Sequence, residues 1–406
     1  MSTVAGNRPQ GYSDEQREFG QEVRRFLVAH QPPDQVRELS ADATGRDAEL
    51  WRRAAKELDL LGLMVPEELG GSGFGFTEVS LVLTAAGESL TSWPYLSSAV
   101  LATHCLLASG DNEAKARWLP GMVSGETIAT VALADDAGTW AADNASVQAS
   151  AGPDGTWTLT GHKSFVTDGQ LADVVFVFAS GGAVPGLFAV RTDDPGVAST
   201  RLPALDATRK LTRFAFTGAT AQRIAGQEVV NRLHATLVTI AAAALACEQA
   251  GGIAAVLERT TQYARARRQF GRSIGSFQSI KHRCVEIYMR SEAAAAFAES
   301  TAVLVDAALC RDALDDPAAQ AAAAAAAVYC SDGFTHSAYD MIQVHGGIGF
   351  TWEHDAHLFL RRAASSAKLF GGKQRNMTVL SNAIKQGGLL ARPARPVSGN
   401  ARDDGE

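Results

Sequence analysis

The stretch TIAAAALACEQAGGIAAVLE, residues 239–258, is small and apolar almost throughout, and Glu248 sits in its middle. A carboxylate buried in such a wall without a partner costs several kcal/mol, and the usual relief is a raised pKa. Its helical neighbours at i±3 and i±4 are Leu245, Ala244, Gly251 and Gly252, so its own helix supplies no cation. The small neighbours are expected to leave room for a ligand. A carboxylate of raised pKa is a base matched to neutral pH, able to take a weakly acidic proton. The competing reading is a structural acid paired with an arginine of a neighbouring helix, with Arg283 and Arg290 as the candidates.

Two other stretches carry residue types suited to a phosphate-bearing ligand. In YARARRQFGRSIGSFQSIKHR (263–283), Arg267 ends a helix just before Phe270-Gly271, where a fixed cation can pair with a pyrophosphate. Gln278 offers an amide edge to a base. In QVHGGIGFTWEHDAHLFLRRA (343–363), Gly346 and Gly347 remove side chains where backbone must approach a ligand. The plain alternative for Arg267 and Arg268 is a solvated helix end. In KSFVTDG (163–169), Phe165 and Thr167 could face a ligand or simply alternate along a strand. His354 and His357 flank Asp355 at helical spacing, but a helix cap is preferred there over a metal site, and no metal is expected.

These groups must be held by three kinds of texture. SDEQ is a capping box, followed by Phe19, Val23, Phe26 and Leu27 at helical spacing. Helices are predicted over 13–30, 47–59, 77–90, 96–109 and 112–122, with a Pro/Gly-rich loop at 65–75. From about residue 126 the pattern becomes short alternating strands: TIATVALAD, SVQASAGPDGTWTLTGHKSFVTDG, DVVFVFAS, GLFAVRTD and RFAFTGATAQRI. GPDGTW reads as a hairpin turn. Long helices follow over 228–267, 275–310, 316–345 and 353–385, which suggests a four-helix bundle. The expected organisation is a disordered 1–12, an N-terminal helical domain 13–124, a middle β domain 125–227, a bundle 228–388 and a disordered tail 389–406.

Composition excludes some classes. The 406 residues carry a net charge of −7, which argues against nucleic-acid binding. Five scattered cysteines (105, 247, 284, 310 and 330) show neither a disulfide framework nor metal spacing, and a cytoplasmic setting fits. The N-terminus lacks the apolar core of a signal peptide, and the alanine tracts suit tight helix packing better than a membrane.

The order of domains, with the Arg-x-x-Phe-Gly and Gln-x-x-Gly-Gly-x-Gly-Phe pair about 75 residues apart, closely resembles the acyl-CoA dehydrogenase family of flavoproteins, including actinobacterial FadE-type members. The resemblance covers about 13–385 and implies an α+β multidomain fold: N-terminal helices, a middle β-barrel and a C-terminal four-helix bundle. It implies FAD as cofactor, with Arg267, Phe270, Gln278, Gln343, Gly346 and Gly347 at its adenine and pyrophosphate end, partly across a subunit interface. It also implies that Phe165 shields the flavin ring and that the Thr167 hydroxyl reaches the ring edge near N5.

Two departures from the family pattern stand out. Ala134, in ALADDAGTW, replaces a threonine whose hydroxyl usually meets the flavin. Both usual positions of the family's catalytic glutamate are blank, one at Phe370 or Gly371 and the other at Ala241. Glu248 lies seven residues beyond Ala241, about 20° short of two full turns and roughly 10 Å further along the helix. It resembles the relocated base of some steroid-degrading members and is the expected catalytic residue.

The activity so implied is α,β-dehydrogenation of an acyl-CoA or related thioester, in which a base removes the α-proton and the β-hydride goes to flavin N5. Hydrogen bonds to the thioester oxygen stabilise the developing enolate. A bulky acyl group, such as a steroid side chain, is the expected substrate. The expected partners are acyl-CoA, an electron-transfer flavoprotein or similar acceptor, and further chains in a homotetramer or an α2β2 heterotetramer, with no nucleic acid and no membrane. One alternative is a non-catalytic half-site subunit, which the altered ALADDAG turn fits. Another is a flavin oxidase or monooxygenase on the same fold, which needs no α-proton base.

Overall fold

A computed structural model describes residues 11–42, 45, 47–140, 146–152, 155–181 and 184–385. The chain begins with helices α1 (Asp14–His30), α2 (Pro33–Ala41), α3 (Ala48–Glu57), α4 (Phe76–Ser89), α5 (Thr103–Ser109) and α6 (Asn112–Ser124). The Ser13 hydroxyl and the Gln16 side chain close the capping box of α1. A wide helical run, Tyr95–Ala102, leads into α5. Tyr12, placed by the sequence reading in a disordered arm, is tied down: its N–H donates to Glu299 Oε1 at 2.7 Å and its hydroxyl meets Ser80. The tail 389–406 lies outside the described residues.

Strands β1 (Ala129–Ala132), β2 (Val147–Ala151), β3 (Trp157–Thr167), β4 (Val174–Gly181), β5 (Val184–Arg191), β6 (Val197–Leu202) and β7 (Leu211–Ala225) form one sheet. It runs β1-β4-β2-β3-β7-β5, and β4 also pairs with β5, so the sheet closes into a barrel. A separate apolar cluster including Phe188, Phe214, Phe216 and Val177 fills it. Strand β6 escaped sequence detection because its middle residues are all exposed and show no alternation.

The C-terminal part holds α7 (Gln227–Ala266), a two-residue hairpin of β8 (Arg268–Gln269) and β9 (Arg272–Ser273), then α8 (Gln278–Leu309), α9 (Pro317–His345), α10 (Ala356–Ser366) and α11 (Gly372–Lys385). The last predicted helix is broken in two. Phe370, Gly371 and Gly372 all take positive φ, which paired glycines permit and a continuing helix does not.

Helix α7 is long and apolar enough to cross a membrane, yet 89% of that apolar window is buried inside the fold. Its small residues serve close packing. A Cβ on Gly251 would lie 1.9 Å from the Thr84 carbonyl oxygen, and one on Gly87 would lie 1.9 Å from the Glu248 carbonyl oxygen. Helices α4 and α7 therefore touch backbone to backbone. The room expected for a ligand beside Glu248 is taken by α4.

Candidate functional site

The C-terminal turns of α7 and α9 are joined directly. The Tyr263 ring stacks on His345 at 4.2 Å, and its hydroxyl donates to the His345 carbonyl oxygen at 3.4 Å. This contact sets two sequence-distant motifs side by side. After α7, the chain turns through Phe270 (φ 52) and Gly271 (φ 77), both in the left-handed region that a two-residue hairpin requires. After α9 it turns through Gly346 at φ 64. Phe270 is 90% exposed, and a Cβ on Gly346 or Gly347 would meet only open space. Gln278, in the first turn of α8, and Gln343, in the last turn of α9, are both exposed. Among the described residues Arg265, Arg267 and Arg268 form no ion pair, so their charge is available to an anion. Unspent cations, bare glycine backbone and an exposed aromatic fit the diphosphate and base end of a dinucleotide such as FAD.

A second site lies in the barrel. A register shift in β3 between Lys163 and Val166 puts Phe165 at φ 56 and turns its ring into a cleft of about 420 Å³. Gly138, Trp140, Leu205, Leu211, Lys368 and Leu369 share that cleft. Thr167 is buried beside it, and its carbonyl accepts from the Thr130 hydroxyl at 2.7 Å. The turn that carries Ala134 is pinned to β3 from several directions. Ser164 N–H donates to the Ala134 carbonyl, and the buried Lys163 Nζ donates to the Leu133 carbonyl at 3.0 Å. Asp136 accepts from Ser164 and from both Arg213 donors, which together hold its carboxyl down at about 2. Trp140 meets Phe370 edge-on at 5.2 Å. This cleft and the Arg267–Gly347 surface share no residue, so a single chain presents two separate pieces.

Glu248 is not unpartnered, as the base reading of the sequence expected it to be. Its Oε2 accepts from Arg209 Nη2 at 2.5 Å and its Oε1 from Arg362 Nη1 at 2.8 Å, with all three side chains buried. Burial alone pushes its carboxyl up, but the two guanidiniums pull it further down, and the net direction is below the ordinary carboxylate range. That is opposite to what a proton-abstracting base needs. The space left beside it is about 10 Å³, no more than one water. The suggested partners Arg283 and Arg290 instead share Asp340, at 2.5 and 2.7 Å.

The true partners come from elsewhere: Arg209 from the turn between β6 and β7, Arg362 from α10. The first left no signal in the sequence. The second left one, since Leu358, Phe359, Arg362, Ala363 and Ser366 form the buried stripe of α10 at helical spacing, with Arg362 on it. Ala241 is fully buried and Phe370 is 5% exposed, so neither usual base position offers a carboxylate. His354 caps α10 by accepting from the Ala356 N–H at 3.1 Å, and Asp355 bridges Arg37 and Arg259.

The comparisons with known proteins agree with this anatomy. Residues 13–126 match the family description "Acyl-CoA dehydrogenase, N-terminal domain", and residues 232–384 match "Acyl-CoA dehydrogenase, C-terminal domain". The chain is 32% identical to Acyl-CoA dehydrogenase IpdE2 of Mycobacterium tuberculosis, over 87% of this chain and 93% of that protein. Among solved structures, it is similar to the ChsE4-ChsE5 complex from Mycobacterium tuberculosis, with a TM-score of 0.80 at 30% identity, covering 96% of this chain and 100% of that one. It is also similar to a variant of the Tcur3481-Tcur3483 steroid ACAD, with a TM-score of 0.79 at 26% identity, over 93% and 99% of the two chains.

Proposed function

The chain belongs to the acyl-CoA dehydrogenase family of FAD-dependent oxidoreductases, and we propose from that premise that it is the half-site subunit of a heteromeric enzyme. Its task is to complete the flavin site of an unlike chain that supplies the base. One observation carries this reading: among the described residues no carboxylate lines the cleft beside Phe165, and Lys368 is the one charged group on its wall. Abstraction of an α-proton needs a base within hydrogen-bond reach of the substrate, and here Glu248 is locked between two arginines.

When bound, FAD supplies the hydride acceptor for the dehydrogenation. Toward a flavin held by the partner, Arg267 provides charge for the diphosphate, Gln278 an amide edge for the adenine, and Phe270 and Gln343 the flanking surface. Gly346 and Gly347 let the backbone come close, because no Cβ stands in the way. On its own barrel this chain retains Phe165 and Thr167, while Ala134 brings only a methyl group. The exposed Phe270, Phe350 and Trp352 then become interface residues rather than solvent-facing ones. The similarity to a two-chain complex and to a steroid enzyme supports an unlike partner and a bulky, steroid-derived acyl-CoA. The electrons leave to an electron-transfer flavoprotein or similar acceptor.

The test is flavin content and acyl-CoA-dependent bleaching of the chain alone and of the chain co-purified with an unlike acyl-CoA dehydrogenase. We expect no bleaching alone and one reducible flavin per unlike pair. A chain that alone holds stoichiometric FAD and bleaches it with an acyl-CoA refutes the proposal.

A further inference from the structure

The cluster around Glu248 contains more carboxylates than arginines. Arg209 (9% exposed) and Arg362 (2%) are its cations; Glu248 (5%), Asp206 (1%) and Asp168 (8%) are its acids. The two Glu248 oxygens take one arginine each, and Arg362 Nε also lies 2.9 Å from Asp206 Oδ2. Each arginine thus has an ion-pair partner other than Asp168, while Arg209 Nη1 stays buried without a hydrogen bond among the described residues. Among the described residues Asp168 Oδ2 accepts a single hydrogen bond, from the Ser97 hydroxyl at 2.7 Å. The other cation nearby, Lys210, spends its ammonium on the carbonyls of Leu39, Ser40 and Ala207. These are the charged groups that the surrounding elements bring to Asp168: Glu248 from α7, Arg362 from α10, and Asp206, Arg209 and Lys210 from the segment between β6 and β7.

The same cluster ties together three parts of the chain. Ser97 lies in the N-terminal helices, Asp168, Asp206 and Arg209 on the barrel, and Glu248 and Arg362 on the C-terminal helices. Arg362 also donates to the Leu90 carbonyl and the Thr208 hydroxyl. An ionised Asp168 would be a buried carboxylate held by one hydroxyl and by no ion pair among the described residues, and the simplest relief is a proton.

We infer that Asp168 is the proton-binding member of a buried clasp between the three parts of the molecule, closed when Asp168 is protonated and loosened when it ionises. Burial drives the Asp168 carboxyl up to about 6, against the opposing pull of Ser97, Arg209 and Arg362. Because the folded value is raised, the stabilisation is fully present below the unfolded value near 3.8 and is lost as pH rises through about 6. Asp168 directly follows Thr167 and lies three residues beyond Phe165, so the loosening falls at the barrel end that carries the Phe165 cleft.

The experiment compares wild type with Asp168→Asn by denaturant unfolding from pH 4 to pH 8. Asparagine keeps an acceptor for Ser97 and tolerates the positive φ of 55. Across the interval the wild-type unfolding constant should rise about a hundredfold relative to the variant, roughly two pH units at tenfold each. The two proteins should be nearly equal at pH 4. Superimposable profiles overturn the inference. An independent readout uses the wild type alone: the infrared carbonyl band of a buried carboxylic acid should disappear as pH rises through 6. If no such band titrates, the inference fails even should the variant not fold. Neither readout involves flavin, so this test and that of the half-site role fail separately.

Discussion

Glu248→Gln separates a structural acid from a catalytic base. The substitution removes one negative charge from between Arg209 and Arg362, leaving Arg362 its ion pair with Asp206 and Arg209 with none among the described residues. Breaking a buried ion pair from one side costs about 3–5 kcal/mol, because the surviving charge stays desolvated. Glutamine keeps one acceptor oxygen and nearly the same volume, so the expected loss lies at the lower end, about 3 kcal/mol. The Glu248 carboxyl is depressed in the folded state, so its stabilisation is present above the ordinary carboxylate value and fades as pH falls through the depressed one. The difference between variant and wild type should therefore be largest near neutral pH and shrink in acid. Denaturant unfolding at pH 7 and in acid measures this. Stopped-flow flavin reduction in the assembly with an unlike partner measures the chemistry, and its rate per assembled complex should stay unchanged. A variant of wild-type stability whose flavin is no longer reduced by acyl-CoA refutes the reasoning and restores Glu248 as the base. Pairing it with Arg209→Met should recover part of the lost stability, since the two residues form one unit.

Two further predictions test the packing and the exposed surface. Gly251→Ala should destabilise the chain by about 3 kcal/mol or more in thermal unfolding, because its Cβ would meet the Thr84 carbonyl oxygen at 1.9 Å and force α4 from α7. Arg267→Ala should leave the stability of the isolated chain unchanged while lowering the flavin content of the assembly at least tenfold, read from the visible spectrum after desalting; equal flavin in both assemblies counts against a role for Arg267.

Much of the fold was legible because local patterns and tertiary packing agree. The capping box at Ser13 opens α1, and the alternating segments became the barrel strands β1–β5 and β7. Where local signals were weak, the reading slipped. The nine-residue α2 went unmarked, β6 showed no alternation, and one predicted helix was cut at Phe370-Gly371-Gly372. The exposed pair of turns at Phe270-Gly271 and Gly346-Gly347 was visible in advance, because glycine in a positive-φ turn is a local requirement.

The role of Glu248 was not visible in this way. Its sequence neighbourhood established that an acid would be buried in a tightly packed helix with no cation on that helix. Whether the acid would be a poised base or a neutralised anchor depended on charges 39 and 114 residues away. Helical periodicity reports only on neighbours three and four residues apart, whereas the field at a buried carboxylate is set by every charge within a few ångströms. The sequence by itself determined the family architecture, the glycine turns at Gly271 and Gly346-Gly347, and the emptiness of the usual base positions. The tertiary structure alone decided that two arginines close on Glu248 and that α4 fills the space beside it, because only folding brings those groups within bonding distance.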